Sequence, residues 1–461
     1  MPTTQTNQTT GATGAAQAPG PAGVPLLGSM FDLKRDPLGT YLAGHREHGD
    51  VVRFTAGPPG LRAEFYGVYS PDGAQQVLAG QAADFRKENS FYEEIRSSFG
   101  NGLLTSQDAD YQRQRRLIQP LFTRRRVDGY ADAIGVEAET LVERWGGLTG
   151  TVDAVDEMSR FALRAVSRIL FGADVETALD PVRTNFPVLA HYVTARGFQP
   201  VRIPRTWPTP TNREAMAAER ALYGVCDAII AARGGAAAES DDLLGLLAAA
   251  RGEDGERLDA TELREQVLIF LLAGHETTAT SLTFTLHLLG QHPEVQARVH
   301  AEVDGLLGDG RRPAAADYNE LPYLTMVLKE AMRLFPAAPV IGRRAVAESV
   351  IGGTVIPAGA NVMVSPYVIH RHLGHWEDPE RFDPERFTPE AEAARHRYAW
   401  FPFGGGPRAC IGQHFSMLES VLGLAAVLRA FEVTAVDREV ALTHGITLEA
   451  AGPVRLTLKR R

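Results

Sequence analysis

Cysteine is almost missing from the chain: Cys226 and Cys410 are the only two in 461 residues. So sparse a supply, widely separated, builds neither a disulfide framework nor a multi-cysteine zinc site, and it suits a reducing compartment. Positive charge is in the minority. Lys and Arg total 47 against 56 Asp and Glu, a net charge of -9, which argues against nucleic acid as a partner. The first 18 residues carry no charge and no long apolar run. They are predicted to be a disordered tail, not a leader or a membrane anchor. No internal repeat occurs, and no glycine-rich nicotinamide or flavin fingerprint. What remains is the stock of a globular protein, 44% hydrophobic and 22% charged. The predicted organisation is a tail over residues 1–18 and one large domain over 19–461.

The patterning is mainly helical, with strands gathered towards the two ends. Asp36-Pro37 opens a helix to His48, with proline at the first helical position. Val51 to Thr55 and Ala63 to Tyr69 read as strands around G-P-P-G, and Ser70-Pro71 opens a short helix. Phe85 to Leu104 has no clean period and reads as an irregular substrate loop. Helices fill most of Asp108 to Arg251, with breaks expected at Phe186-Pro187 and over Pro200 to Pro210. The second break, with Trp207, reads either as a lid or as a plain surface loop. Leu258 to Gln291 is the longest helical pattern. Leu263, Val267, Phe270, Gly274 and Thr277 share one face, and a helix so apolar all round should be buried. Further helices are expected from Pro293 and over Leu321 to Leu334. Residues 340–368 and Val440 to Leu458 read as strands. Cys226, inside a helical pattern, reads as inert packing.

The chemistry gathers in F-P-F-G-G-G-P-R-A-C-I-G, Phe401 to Gly412. A cysteine on a tight loop before the helical run Phe415 to Leu428 has its thiolate favoured by backbone amides and the helix dipole. Gly404, Gly405, Gly406 and Gly412 let the backbone pass close to something flat. Arg408 offers a cationic fork for a carboxylate. Thiolate, flat space and carboxylate-binding arginine together describe a heme seat with cysteine as axial ligand.

The spacing Phe403-x-x-Gly406-x-Arg408-x-Cys410-x-Gly412 resembles the ligand loop of the cytochrome P450 family, and three further motifs follow that resemblance. Ala273-Gly274-His275-Glu276-Thr277-Thr278 is similar to the family's oxygen-activation motif, an acid followed by an alcohol. Glu276 and Thr277 are thereby implied as catalytic. A threonine hydroxyl here can bond the carbonyl one turn earlier and bulge the helix. Glu330-x-x-Arg333, among apolar neighbours, matches the family's helix ion pair. D-P-E-R-F-D-P-E-R-F, Asp378 to Phe387, resembles the segment that adds a second arginine. Arg386 is the expected member, with Arg381 the weaker choice, and the implied role is folding and heme retention. Heme carboxylates need cations. The resemblance implies Tyr111, Arg115, Arg343 and Arg408 for them, with Arg344 as a possible exchange for Arg343 and His370 as an added contact. Phe403 and Gly404 flank the cofactor, and Cys410 ligates its iron.

The resemblance covers roughly Pro21 to Leu458 and implies a mainly α, triangular single domain with small β-sheets that binds heme b (iron protoporphyrin IX). It implies a soluble, bacterial-type, cytoplasmic monomer that inserts one oxygen atom from O2 by hydroxylation or epoxidation. Electrons then come from a ferredoxin or flavodoxin with its NAD(P)H-dependent reductase, for which Arg113, Arg115, Arg116, Arg124, Arg125 and Arg126 offer a basic docking run. A peroxide-driven peroxygenase and a heme gas sensor are the rival readings. The acid–alcohol pair, which neither needs, argues against both. The expected pocket wall is Phe91, Tyr92, Leu272, Ala273, Val340, Ile341 and Ile446. Its apolar character suits a terpene or another lipophilic secondary metabolite.

Overall fold

Two residues start the element on which the rest is laid. Asp259 accepts a hydrogen bond from the Glu262 amide at 2.8 Å, and the Glu262 carboxylate accepts one from the Asp259 amide at 3.0 Å. This reciprocal cap opens the helix Ala260–Gln291, 32 residues long. In the computed structural model, which describes residues 16–148, 150–172, 176–199, 202–233, 242–252 and 255–461, it runs through the middle of the protein. It is the one helix among the described residues long and apolar enough to span a bilayer, but most of its apolar stretch is buried in protein. Its main neighbour is the helix Ala154–Phe171. Gly274 permits that approach: a Cβ there would sit 3.0 Å from Val166 Cγ2. Helices Ala131–Gly146, Pro322–Leu334 and Gln413–Ala430 complete the main core.

The strands form small sheets beside this helical body. The largest has the order Val51–Ala56, Ala63–Val68, Asn361–Val364, Ile341–Ala345, Phe85–Arg86. Its first pair is antiparallel, the second parallel and the last two antiparallel. Phe431–Ala435 pairs with Arg455–Arg460, which pairs in turn with Thr151–Asp153. Leu442–His444 and Leu448–Ala450 form a hairpin whose tip enters the active-site cavity.

Four expectations need correction. Phe85 to Leu104 is no irregular loop: Phe85–Arg86 is a strand, and Asn89 caps the helix Ser90–Phe99 by accepting from the Tyr92 amide at 3.0 Å. Its buried face is Tyr92, Ile95 and Phe99, a helical spacing hidden by Glu94, which is itself buried because Arg196 and Arg202 pair with it. Phe186-Pro187 breaks nothing. Pro181 and Pro187 lie inside the helix Glu176–Gly197, where Phe186 packs against Phe99 and His275 and outweighs the local proline penalty. Ala16–Gln17 pairs with the strand Thr354–Ile356, so the end of the expected 1–18 tail is a strand. The remainder of that tail, residues 1–15, lies outside the described residues, as do residues 200 and 201 of the proline-rich break. The strand Thr151–Asp153 was not expected.

Candidate active site

Cys410 stands just before the helix Gln413–Ala430, on a loop closed by its own amide, which donates to the Phe403 carbonyl at 2.9 Å. The four loop glycines divide by task. A Cβ at Gly405 would strike the Tyr398 ring at 2.4 Å, and one at Gly406 (φ 65°) would lie 1.9 Å from the Leu78 carbonyl oxygen. These two serve protein packing, not a flat guest. Gly404 (φ 71°) and Gly412 meet nothing closer than Ile341 Cδ1 at 3.7 Å and the Cys410 sulfur at 3.9 Å. Cys410 lies deep among protein atoms, yet its surface is open because it faces an internal cavity. Burial pushes its thiol up, while the Gly412 amide, Arg115 and Lys87 pull it down. The net direction is up, against the thiolate that the loop's position favours, so the sulfur holds its proton until a metal displaces it. Cys226 is buried, with its thiol pushed up to about 12 by burial, and does not line this cavity.

A cluster of cations lines the cavity beside this loop. The Arg408 guanidinium lies 3.5 Å over the Tyr111 ring and donates to the Ser106 carbonyl at 2.8 Å. Arg115 donates to the Ala409 carbonyl at 3.0 Å. Alternation along the strand Ile341–Ala345 turns Arg343 inward and Arg344 outward. Lys87, which the sequence reading missed, is buried and donates to the Leu104 carbonyl at 3.0 Å. Burial and neighbouring arginines hold its ammonium well below the ordinary lysine range. None of Lys87, Arg115, Arg343 and Arg408 has a carboxylate partner among the described residues. Arg115, Arg343 and Arg408, buried or half-buried without anions, need an anionic guest, which would also favour the charge on Lys87. The Tyr111 hydroxyl is not free for that guest: it donates to the Pro407 carbonyl at 2.6 Å. His370 is a further correction. It is fully buried and does not line the cavity. Its ring accepts from the Phe401 amide at 3.0 Å and its carbonyl accepts from Arg333, so burial among arginines keeps it neutral and away from any cofactor carboxylate.

On the opposite wall, Leu272, Ala273, Glu276 and Thr277 of the long helix face the cavity. Thr277 Oγ1 donates to the Ala273 carbonyl at 2.8 Å, yet the segment stays α-helical throughout, without the expected bulge. Thr278 turns towards Ser416, 3.4 Å away. Glu276 has no cation among the groups acting on it. Burial, reinforced by Glu449, pushes its carboxyl up to about 8, with Thr447 opposing. It is therefore largely protonated at neutral pH.

The helix pair lies outside the cavity. Glu330 and Arg333 are both fully buried and joined by two hydrogen bonds, at 2.6 and 2.8 Å. Arg333 also donates to the carbonyls of His370, Pro379 and Arg381. Glu330 accepts from the Asp383 amide at 2.9 Å, and Arg386 Nε stands 3.4 Å from it. Arg381 is exposed and pairs with Asp378 and Asp383.

The cavity itself measures about 1340 Å³. Phe91, Tyr92, Leu272, Ala273, Val340, Ile341 and Ile446 all line it, as do Phe403 and Gly404. Tyr92 belongs to its cationic end, under Lys87 at 5.1 Å and beside Arg343. Phe99, Phe122 and Phe186 add apolar wall that the sequence reading did not name. A thiol on the floor, unpaired cations at one side and an apolar space beyond fit heme and a lipophilic guest.

Comparison with known proteins agrees with that fit. The family model described as Cytochrome P450 matches residues 18–448. The chain is 35% identical over 443 residues to a Streptomyces melanosporofaciens protein named cyclooctat-9-en-7-ol 5-monooxygenase, covering 96% of this chain and 95% of the relative. It is 34% identical over 415 residues to the pentalenene oxygenase of Streptomyces avermitilis, covering 90% of each. A crystal structure described as the cytochrome P450DA heme domain superimposes with a TM-score of 0.88 at 29% identity, covering 97% of this chain and 98% of that one.

Proposed function

Because the chain belongs to the cytochrome P450 family of heme-thiolate monooxygenases, we propose that it hydroxylates or epoxidises a terpene or a similar lipophilic secondary metabolite. Relatives named for pentalenene and cyclooctat-9-en-7-ol support that substrate class, and so does the aromatic and aliphatic lining of the cavity. The observation that carries the reading is one cavity lined by both Cys410 and the Glu276-Thr277 pair.

Cys410 is the proposed axial ligand. Arg115, Arg343, Arg408 and Lys87 are the proposed partners of the two carboxylates of heme b. Bound heme supplies the oxygen activation, and the protein supplies orientation, insulation and protons. The apolar wall excludes water and holds the reacting carbon near the cofactor. Glu276 holds a proton at its carboxyl, and Thr277 presents a hydroxyl one residue on that passes it into the cavity. Glu330, Arg333 and Arg386 fix the segment that carries the ligand loop.

Electrons arrive from an external ferredoxin or flavodoxin with its NAD(P)H-dependent reductase. Within the basic run, Arg113 and Arg116 already pair with Glu262 and Glu256, and Arg115 turns inward. Arg125 and Arg126, exposed on the short helix Arg124–Asp128 whose Asp128 bonds His414 after the ligand loop, are left to meet an acidic partner.

The test is the Soret band of the reduced, carbon-monoxide-bound protein. Its red-shifted, thiolate-type position is expected in the wild type and in Cys226→Ser, and is expected to be lost in Cys410→Ser. Retention in Cys410→Ser overturns the ligand assignment. Product formation with a ferredoxin and reductase, but not with peroxide alone, separates monooxygenase from peroxygenase.

A further inference from the structure

Glu276 is held against the hairpin Leu442–Ala450, and the hairpin is pinned to the long helix one turn further on. Thr280 Oγ1 donates to the Leu448 carbonyl at 3.2 Å, and the Leu448 amide donates to the Ala337 carbonyl at 2.9 Å. Side chains alternate along a strand, so Thr447 and Glu449 share one side and both act on Glu276. Thr447 is buried and lines the cavity, and its hydroxyl, which makes no hydrogen bond of good geometry, stands near enough to Glu276 to oppose the rise of its carboxyl. At the turn, a Cβ built on Gly445 would lie 3.8 Å from Glu449 Oε1 and 3.3 Å from Thr194 Oγ1. Gly445 thus lies between the Glu449 carboxyl and the helix Glu176–Gly197. There Thr194 is another buried hydroxyl without a partner, and His191, exposed, acts on Glu449.

We propose that Glu449 and Thr447 are the proton supply of Glu276: a polar track runs from solvent at His191 through Glu449 and Thr447 to Glu276, and ends at Thr277 in the cavity. The inference rests on the monooxygenase reading. That reaction takes up two electrons from the redox partner and two protons per O2, and yields one water and one oxygenated product. Each proton that leaves Glu276 for the reacting oxygen is replaced from Glu449. Glu449 is replenished from solvent past His191, so neither carboxyl is consumed.

The electrostatics agree with the geometry. Burial raises both Glu276 and Glu449, and His191 opposes the rise at Glu449. The charge of Glu449 raises Glu276, so the two carboxyls resist ionising together, and an acid that titrates near working pH transfers protons best. The other titratable groups nearby do not join the track. His444 on the hairpin is kept neutral by burial. His275 donates to or accepts from nothing in the cavity: its Nδ1 bonds the Leu271 carbonyl and its ring packs on Phe186.

Infrared titration of the heme-loaded protein reads the track without turnover. In Glu449→Gln one titrating carboxyl should vanish, and the midpoint of Glu276, expected at about 8 in the wild type, should move down. An unmoved midpoint overturns the inference. In turnover, Glu449→Gln should lower product per reducing equivalent at least about ten-fold, release peroxide and raise the solvent isotope effect, while Glu449→Asp restores part of the loss. Thr447→Val should fall between them. A wild-type Soret band in each variant confirms an intact fold. If Glu449→Gln changes only substrate affinity, the hairpin is a pocket wall and the track does not exist. If the wild type itself makes no product with a redox partner, the monooxygenase reading fails instead.

Discussion

Two glutamates in buried helices have been treated in opposite ways. Burial pushes both carboxyls up, but at Glu330 the rise is opposed by two bonds from Arg333, one from the Asp383 amide, and Arg386 close by. Glu276 sits in an equally apolar helix with no cation, and its proton stays on to about 8. A fully partnered buried ion is fixed and does no chemistry. A buried carboxyl left unpartnered keeps a proton that it can give away. The two kinds of burial separate the part of the protein that holds the ligand loop from the part that reacts.

The largest effect expected from breaking this contrast is at Arg333. Arg333→Ala leaves Glu330 charged and buried, at a cost of about 3–5 kcal/mol, and should give heme-poor protein with a lowered urea midpoint. Replacing Glu330 and Arg333 together by leucine should cost less than Arg333→Ala alone. If Arg333→Ala unfolds at the wild-type midpoint, the pair has no structural weight.

Glu276→Gln should do the reverse. Because the folded carboxyl binds its proton more tightly than the unfolded one, the native state holds the extra proton between the ordinary carboxylate range and about 8. Stability from this group is intact below that window and falls as pH rises through it. Glu419 and Glu449 are raised by burial too, so the measurement is the difference between the wild type and Glu276→Gln. The variant should gain relative stability from low to high pH, while product per reducing equivalent drops by about 10²-fold or more. A difference flat with pH means the carboxyl is ionised in the fold.

How much of this was legible in the sequence follows from the kind of signal each residue carries. The long helix, its neighbours and the Cys410 loop were readable because caps, prolines and glycine spacing are local. The helix Ser90–Phe99 was not, because Glu94 looks like a surface residue until Arg196, a hundred residues away, is brought beside it. Lys87 was missed for the same reason: only the fold shows that it is buried beside Arg408 and Arg343. His370 was misread because an I-H-R tripeptide does not tell whether its ring faces the cavity or the Arg333 network. The hairpin that brings Thr447 and Glu449 to Glu276 depends on contacts across more than 150 residues, which no local pattern records.

Within the reactive half, a smaller effect separates two adjacent alcohols. Both line the cavity, but the Thr277 hydroxyl bonds the Ala273 carbonyl, whereas that of Thr278 turns to Ser416. Thr277→Ala should keep heme content, substrate binding and oxygen consumption, but divert reducing equivalents to peroxide. Thr278→Ala should remain coupled. Peroxide assayed beside product decides between them, and uncoupling by Thr278→Ala alone reverses the assignment.

The smallest effect tests the edge of the fixed half. Arg386 and Arg381 occupy equivalent places in the repeated P-E-R-F, and sequence alone favours the first only by position. Their surroundings differ. Arg386 is largely buried, with Nε 3.4 Å from Glu330, and it donates to the Asp378 carbonyl at 2.9 Å. Burial lowers its guanidinium pKa, with Glu330 opposing. Arg381 is exposed and pairs only with surface carboxylates. An exposed pair contributes little, so Arg381→Ala should stay within about 0.5 kcal/mol of the wild type. Arg386→Ala removes one charge-assisted neighbour of Glu330 but leaves both Arg333 bonds and the Asp383 amide, so the loss should be about 1–2 kcal/mol, well short of that at Arg333. Neither variant should change product per reducing equivalent, because neither touches the cavity. Urea unfolding of the two proteins ranks them, and a larger loss from Arg381→Ala would move the third member of the cluster to the first repeat.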